Sequence, residues 1–308
     1  MRDVAIVAYQ ALTPSPRDRD RDQVEMVRTV VSGVLEKAGL DRKEIGFWCS
    51  GSCDYLEGSP FAFVGALDAL GAWPPISESH VEMDGAFALY EAWVHLQMGH
   101  IDTALAFGFG RSSGGPLEQV LGLSLDPYVL SPLGLNATDL AGLQAQALRD
   151  QGHDVSLPNG LPRFDGAAAV ILAAGDRAEQ LCERPAWIHG IDHRIDCHSP
   201  GARDLTHSPS TASAAQKAGV VADRVDAVFL HAPYPHEEDV LRRALGVGPD
   251  VVRAPRENPS MVAGLMRFGQ AFEAIASAQA EVAVAHCTAG PCLQQNLVGR
   301  LEGGRPNG

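Results

Sequence analysis

The apolar periodicities of this chain run through nearly the same order twice. In the first pass, residues 4–9 form a short apolar run that predicts a buried strand, followed by a polar, proline-containing loop over 13–22. Val24, Val27, Val31, Val34, Leu35 and Ala38 then recur at helical spacing, with Gly39 where a helix stop is expected. A strand over 44–51, a helix over 61–70, a helix reached through Val81 and closed by Gly99, and a strand over 103–110 complete the series. The second pass reads as a strand over 186–191, a helix over 210–219, a strand over 225–233 and a helix over 236–245. A further helix within 258–278 and a closing strand over 281–287 end it. Such repetition predicts two similar α/β units, each a sheet covered by helices. The less regular segment 112–163 is expected as an insertion before DGAAAVILAA (Asp165–Ala174), the strand that closes the first unit. The units are expected over 1–176 and 185–308.

Composition narrows the function classes. The chain has 308 residues, 45% of them hydrophobic and 20% charged, which is enough for two cores and excludes disorder. A formal charge of −14 does not attract a phosphate backbone, so nucleic acid is not an expected partner. No apolar run approaches the roughly 20 residues of a membrane span, and the start lacks a basic segment before a long apolar core; a cytoplasmic protein is expected. The six cysteines need not form a disulfide framework, and CxxC units for structural zinc are absent. His193, His198 and His207 are scattered, and GFGRSSGG is not a phosphate loop, so neither a metal nor a tightly bound cofactor is expected.

Four stretches carry a resemblance: DGAAAVILA (165–173), LHAPYPHEEDVLRRALG (230–246), ENPSMVAGLMRFGQAFEAI (257–275) and AHCTAGPCLQQNLV (285–298). In this order they resemble the thiolase superfamily, specifically the sterol-carrier-protein-type thiolases and the lipid-transfer-protein-like aldolase branch. The resemblance implies a duplicated α/β/α sandwich of two similar halves in five layers. It also implies acyl-CoA chemistry, with coenzyme A entering as part of the substrate.

The resemblance assigns site residues position by position. Gly99 and Asp102 match the family's Gly and Asp after this helix, and Gly85, Ala88 and Leu89 fall on its Gly, Ala and Leu, which places Glu82 where the nucleophilic cysteine belongs. Glu82 and the nearby Asp84 read either as helix caps or, for Glu82, as a base. His231 falls on the histidine of the family's HEAF or HDCF segment, where it would help stabilise a thioester enolate, or it is a hydrogen-bonded structural residue. Tyr234 falls on the aromatic position of that segment and would bind or protonate oxygen, or simply pack. Asn258 stands at the histidine of Gly-His-Pro and cannot act as a proton-transfer base; helix capping is its other reading. Cys287 corresponds to the acid/base cysteine, or is a buried inert thiol. Cys292 has no matched role.

The implied function is a retro-aldol carbon–carbon lyase acting on a steroid or related side-chain β-hydroxyacyl-CoA. The alternative is a catalytically silent thiolase-like subunit of a heteromeric acyl-CoA complex, with acetyl-CoA acyltransferase activity a lesser possibility. Implied partners are the acyl-CoA substrate, a second copy or a thiolase-like paralogue, and a small OB-fold or zinc-ribbon protein.

Overall fold

In the computed structural model, residues 2–306 are described apart from Ser59 and Ala72; the outer limits of the two expected units, 1 and 308, fall outside this set. The first half contains β1 (Val4–Ala11), α1 (Gln23–Ala38), β2 (Phe47–Gly51), α2 (Asp54–Glu57), α3 (Ala62–Leu70), β3 (Glu78–Val81), α4 (Gly85–Met98) and β4 (Thr103–Arg111). The segment that follows carries α5 (Leu117–Leu123) and α6 (Ala137–Asp150), then β5 (Asp165–Ala174) and α7 (Asp176–Leu181). Next come β6 (Ala186–Ile195), α8 (Pro209–Lys217), β7 (Ala227–Phe229), α9 (Pro235–Leu245) and β8 (Val252–Arg253). The chain closes with α10 (Ala263–Ala276), β9 (Val282–Ala289) and β10 (Gln295–Glu302).

The strands form a ten-stranded sheet ordered β3-β2-β4-β5-β1-β6-β10-β9-β7-β8. Counted outward from the centre, each half presents its own first, fifth, fourth, second and third strand, so the topology is duplicated. Parallel pairs lie at both ends, and antiparallel pairs surround the junction, where Ala5 faces Trp187 and Ile6 faces Ala186.

Side-chain alternation sorts the helices into layers. On β5, Ala168, Val170 and Leu172 face inward, while Ala167, Ala169 and Ile171 face outward. The outward set packs under α1 and α3. α4 and α10 touch each other and fill the inner layer between the two half-sheets. α8 and α9 cover the far face of the second half. The result is a five-layered α/β sandwich, as the fold class required. No helix among the described residues is long and apolar enough to cross a membrane.

Several boundaries differ from the sequence expectation for identifiable reasons. The closing strand is β10 rather than the segment 281–287; its Asn296, Gly299 and Arg300 interrupt the apolar pattern, although Asn296 is fully buried. β7 ends at Phe229, which leaves 231–233 in a loop. α10 begins at Ala263 rather than near 258, because Met261 adopts a left-handed backbone at φ 65°.

Close packing of α10 on β1 generates a stability prediction. A Cβ at Gly269 would run into the ring of Tyr9, whereas one at Gly142, inside α6, meets nothing within 4 Å. Gly269→Ala should destabilise the fold by about 2 kcal/mol through overpacking. Gly142→Ala should stabilise it by about 0.5–1 kcal/mol through backbone entropy. Urea unfolding of both variants checks the contrast; equal effects would mean that α10 does not sit this closely on β1.

Candidate active site

Two helices begin at one carboxylate. Asp84 caps α4 by accepting the Ala86 N–H at 2.9 Å, and it accepts the Gly264 and Leu265 N–H groups at the start of α10, each at 2.9 Å. The α4 terminus is closed further by Gly85 N–H, which donates to Met261 O at 2.8 Å. The first N–H of α10, that of Ala263, donates to Pro259 O at 2.9 Å. These are the groups that a helix start ordinarily leaves without partners, and here all have them. Asp84 is only 3% exposed. Burial raises its pKa, and the three N–H groups and Arg267 oppose that rise.

Glycines allow this approach. A Cβ at Gly85 would meet Leu265 Cδ2 at 2.9 Å and Gly108 Cα at 3.1 Å, and one at Gly264 would run into Cys287 Sγ. Hence Cys287, from β9, lies directly beneath the Asp84 carboxylate. Its Sγ is 3.7 Å from His231 Nδ1, and donor atoms of Asp84, His231 and Cys287 all fall within 4.8 Å of one another. Burial, then the charge of Asp84, pushes the Cys287 thiol well above its ordinary pKa. Burial, then Arg267, holds the His231 imidazole well below its own. At neutral pH the pair is thiol and neutral imidazole.

Arg267, fully buried on α10, fixes the surrounding loops. It donates to Leu230 O at 3.0 Å, to Pro255 O and Glu257 O at 3.3 Å, and to Asn258 Oδ1 at 2.6 Å. Asn258 in turn donates to Ala232 O at 3.1 Å, so both ends of its amide are engaged. Burial lowers the Arg267 pKa to about 10, which leaves it cationic at neutral pH. That charge, together with the three bonds already made by Asp84, makes the Asp84, His231 and Cys287 donor set a poor cation site.

The structure therefore brings His231 and Cys287 together with Asp84, and places Asn258 beside them as a bonded strut. Glu82 is exposed and accepts the Asp54 N–H at the start of α2, outside this cluster. Tyr234 is buried, with its hydroxyl 3.3 Å from Thr138 Oγ1 of α6. Sequence reasoning named Asp84 only as a cap beside Glu82 and missed Arg267. The available signal for the arginine was its position inside the apolar run LMRF, where a surface residue would break the pattern.

No family model matches the chain, and no curated protein matches it. Solved structures do match. Human mitochondrial 3-ketoacyl-CoA thiolase in complex with CoA superposes with a TM-score of 0.71 at 15% identity, over 98% of this chain and 98% of that one. A second structure of the human enzyme gives 0.71 and 15% over 98% and 99%. At this identity the likeness is one of fold, and the chain has the thiolase fold.

Two predictions follow from the geometry. Asp84→Ala leaves three N–H groups buried without an acceptor and should cost about 3 kcal/mol or more in urea unfolding, with Asp84→Asn in between. A loss below about 0.5 kcal/mol would show that the carboxylate is not the clamp. The second concerns Glu237, which is buried on α9, accepts Tyr234 N–H at 2.9 Å, and has its carboxyl pushed by burial to about 8. Between pH 4.5 and about 8 the folded chain retains a proton that the unfolded chain releases, so this contribution to stability declines as pH rises through that window. Glu237→Gln should flatten the decline in melting temperature from pH 5 to 8; an unchanged slope would exclude Glu237 as its source.

Proposed function

We propose that this thiolase-fold chain binds acyl-CoA without forming an acyl-enzyme, and that it serves as the non-acylating subunit of a heteromeric acyl-CoA-processing assembly. The observation that carries this reading is the internal saturation of both helix starts: Gly85, Ala86, Ala263, Gly264 and Leu265 N–H groups all have protein acceptors. A thioester oxygen that becomes negative needs such donors free and aimed at it. Three further features agree. The position expected for the nucleophile carries Glu82, the Cys287 thiol is fully buried and held neutral, and Asn258 is bonded at both ends of its amide. Support for a CoA thioester as ligand comes from the human enzyme of the same fold, solved with CoA bound. The outer edge of β3, which ends the sheet among the described residues, offers a place for a paralogue or a second copy to add.

A retro-aldol lyase acting on a steroid or related side-chain β-hydroxyacyl-CoA is the second reading, favoured by the contact between Cys287 and His231 beside Asp84. In that reaction a proton leaves the β-hydroxyl and another reaches the thioester enolate, so a buried row of proton-bearing groups is useful. Glu82 would have to release Asp54 to take part.

The two readings separate on one preparation. Incubated with acetyl-CoA or acetoacetyl-CoA, the chain alone should keep its unmodified intact mass, show a raised melting temperature with CoA, and leave β-hydroxyacyl-CoA uncleaved. An acyl adduct on Cys287 or Cys292 would overturn the proposal. Cleavage by the chain alone that drops about a hundredfold in His231→Ala would establish the lyase instead.

A further inference from the structure

On the outer face of the first half, the loop between β1 and α1 folds back over the end of β4. Asp18 shapes this loop: it is 6% exposed, accepts the Asp20 and Arg21 N–H groups at 3.0 and 3.1 Å, and pairs with Arg21 Nε at 2.9 Å. The N–H of Asp18 donates to Asp165 at 2.9 Å, and Asp165 also takes the N–H and hydroxyl of Ser113 at 2.9 and 2.6 Å. Both acids are thus committed to holding backbone in place.

The residues flanking Asp18 are exposed arginines. Arg17 and Arg19, with Asp18 itself and Arg111, line a cleft of about 460 Å³. Arg111 ends β4 after Leu105, Phe107 and Phe109, which face the outer core, so alternation brings it out on the same face. Among the described residues, neither an ion pair nor a side-chain hydrogen bond engages Arg17, Arg19 or Arg111, although Arg21 beside them is paired with Asp18. Arg111 Nε is buried and has no hydrogen-bond partner. Glu57 accepts the backbone N–H of Arg111 at 3.2 Å, and burial pushes its carboxyl to about 7, so at neutral pH it offsets the guanidinium charge only in part.

Three unpaired guanidinium groups around one concavity repel one another, and the chain that holds them carries a net charge of −14 with acids to spare. Guanidinium presents planar paired donors that match phosphate oxygens. We propose that this cleft binds a phosphate-bearing anion, held by Arg17, Arg19 and Arg111. The open cleft has room for more than a lone phosphate, so a phosphorylated organic molecule or a diphosphate fits it. The site is distinct from the Asp84, His231 and Cys287 cluster, which lies among the inner-layer helices. It stands whether or not the acyl-CoA reading does. Two sources share this chemistry: the nucleotide end of a CoA-type ligand and a free phosphorylated metabolite.

The test is calorimetric titration of the full chain at low ionic strength with adenosine 3′,5′-bisphosphate, pyrophosphate and inorganic phosphate. At least one of the first two should bind saturably, and tighter than inorganic phosphate. Arg17→Gln/Arg19→Gln, confined to exposed side chains, should weaken that binding by about tenfold or more, and Arg111→Gln likewise. Arg224→Gln, an exposed arginine elsewhere, should leave it unchanged. Preference for the bisphosphate identifies the nucleotide source, and preference for pyrophosphate the free metabolite. No saturable binding of any probe, or binding indifferent to the Arg17 and Arg19 changes, would overturn the proposal.

Discussion

The centre of this fold depends on one buried carboxylate shared by two helix starts. α4 belongs to the first half and α10 to the second, and their positive ends converge. Two sets of N–H donors facing each other in a buried layer need an acceptor between them. Asp84 supplies it, and so ties the halves together. Met261 returns the bond: its carbonyl, contributed by the second half, accepts Gly85 N–H of the first. The left-handed backbone of Met261 costs on the order of 1–3 kcal/mol and is held by this reciprocal clamp, which aims the carbonyl at α4.

A clamp of this kind restricts the residues around it to small ones. A side chain at Gly51 would meet the backbone of Gly85, and one at Gly108 would meet Met261 O at 2.8 Å. The same demand extends along β5, where Ala167, Ala168 and Ala169 are completely buried with helices or loops on both faces. Arg267 does the complementary work for the second half, since the loops that carry His231 and Asn258 turn their carbonyl and amide groups toward its guanidinium. A charge at that depth is tolerated because several protein oxygens replace its water.

The parts of this design that were legible in the sequence are those encoded by periodicity. DGAAAVILAA reads as a strand because nine small or apolar residues in a row after Asp165 suit a strand buried on both faces, and the valines of α1 read as a helix through their spacing. β10 was not legible, because Asn296 and Arg300 draw on partners from other elements: Ser210 and His286 for the amide, the Gly219 carbonyl for the guanidinium. In the site, His231 and Cys287 were legible through their neighbours in the motif. Counting along α4 pointed to Glu82 as the functional acid, yet the residue that meets them is Asp84. The difference is one of direction: Asp84 immediately precedes the first turn and points back at N–H groups from two helices, while Glu82, two residues earlier, faces Asp54. No local pattern reveals the second helix.

The hydrogen bonds of the clamp restrict where function can reside. An N–H bonded to Asp84 cannot at the same moment stabilise an enolate oxygen, and freeing it would expose a buried carboxylate to an apolar layer. Chemistry at the helix starts and the clamp that joins the halves therefore compete for the same hydrogen bonds, and in this chain the clamp holds them. The arginines of the outer cleft are under no such competition, since the acids around them are bonded to backbone and, among the described residues, nothing engages their guanidinium groups. Binding on the outer face can persist or change without disturbing the clamp, because the half-sheet stands between them. On the reading proposed here, what this chain does lies in the surfaces it presents around a sealed centre.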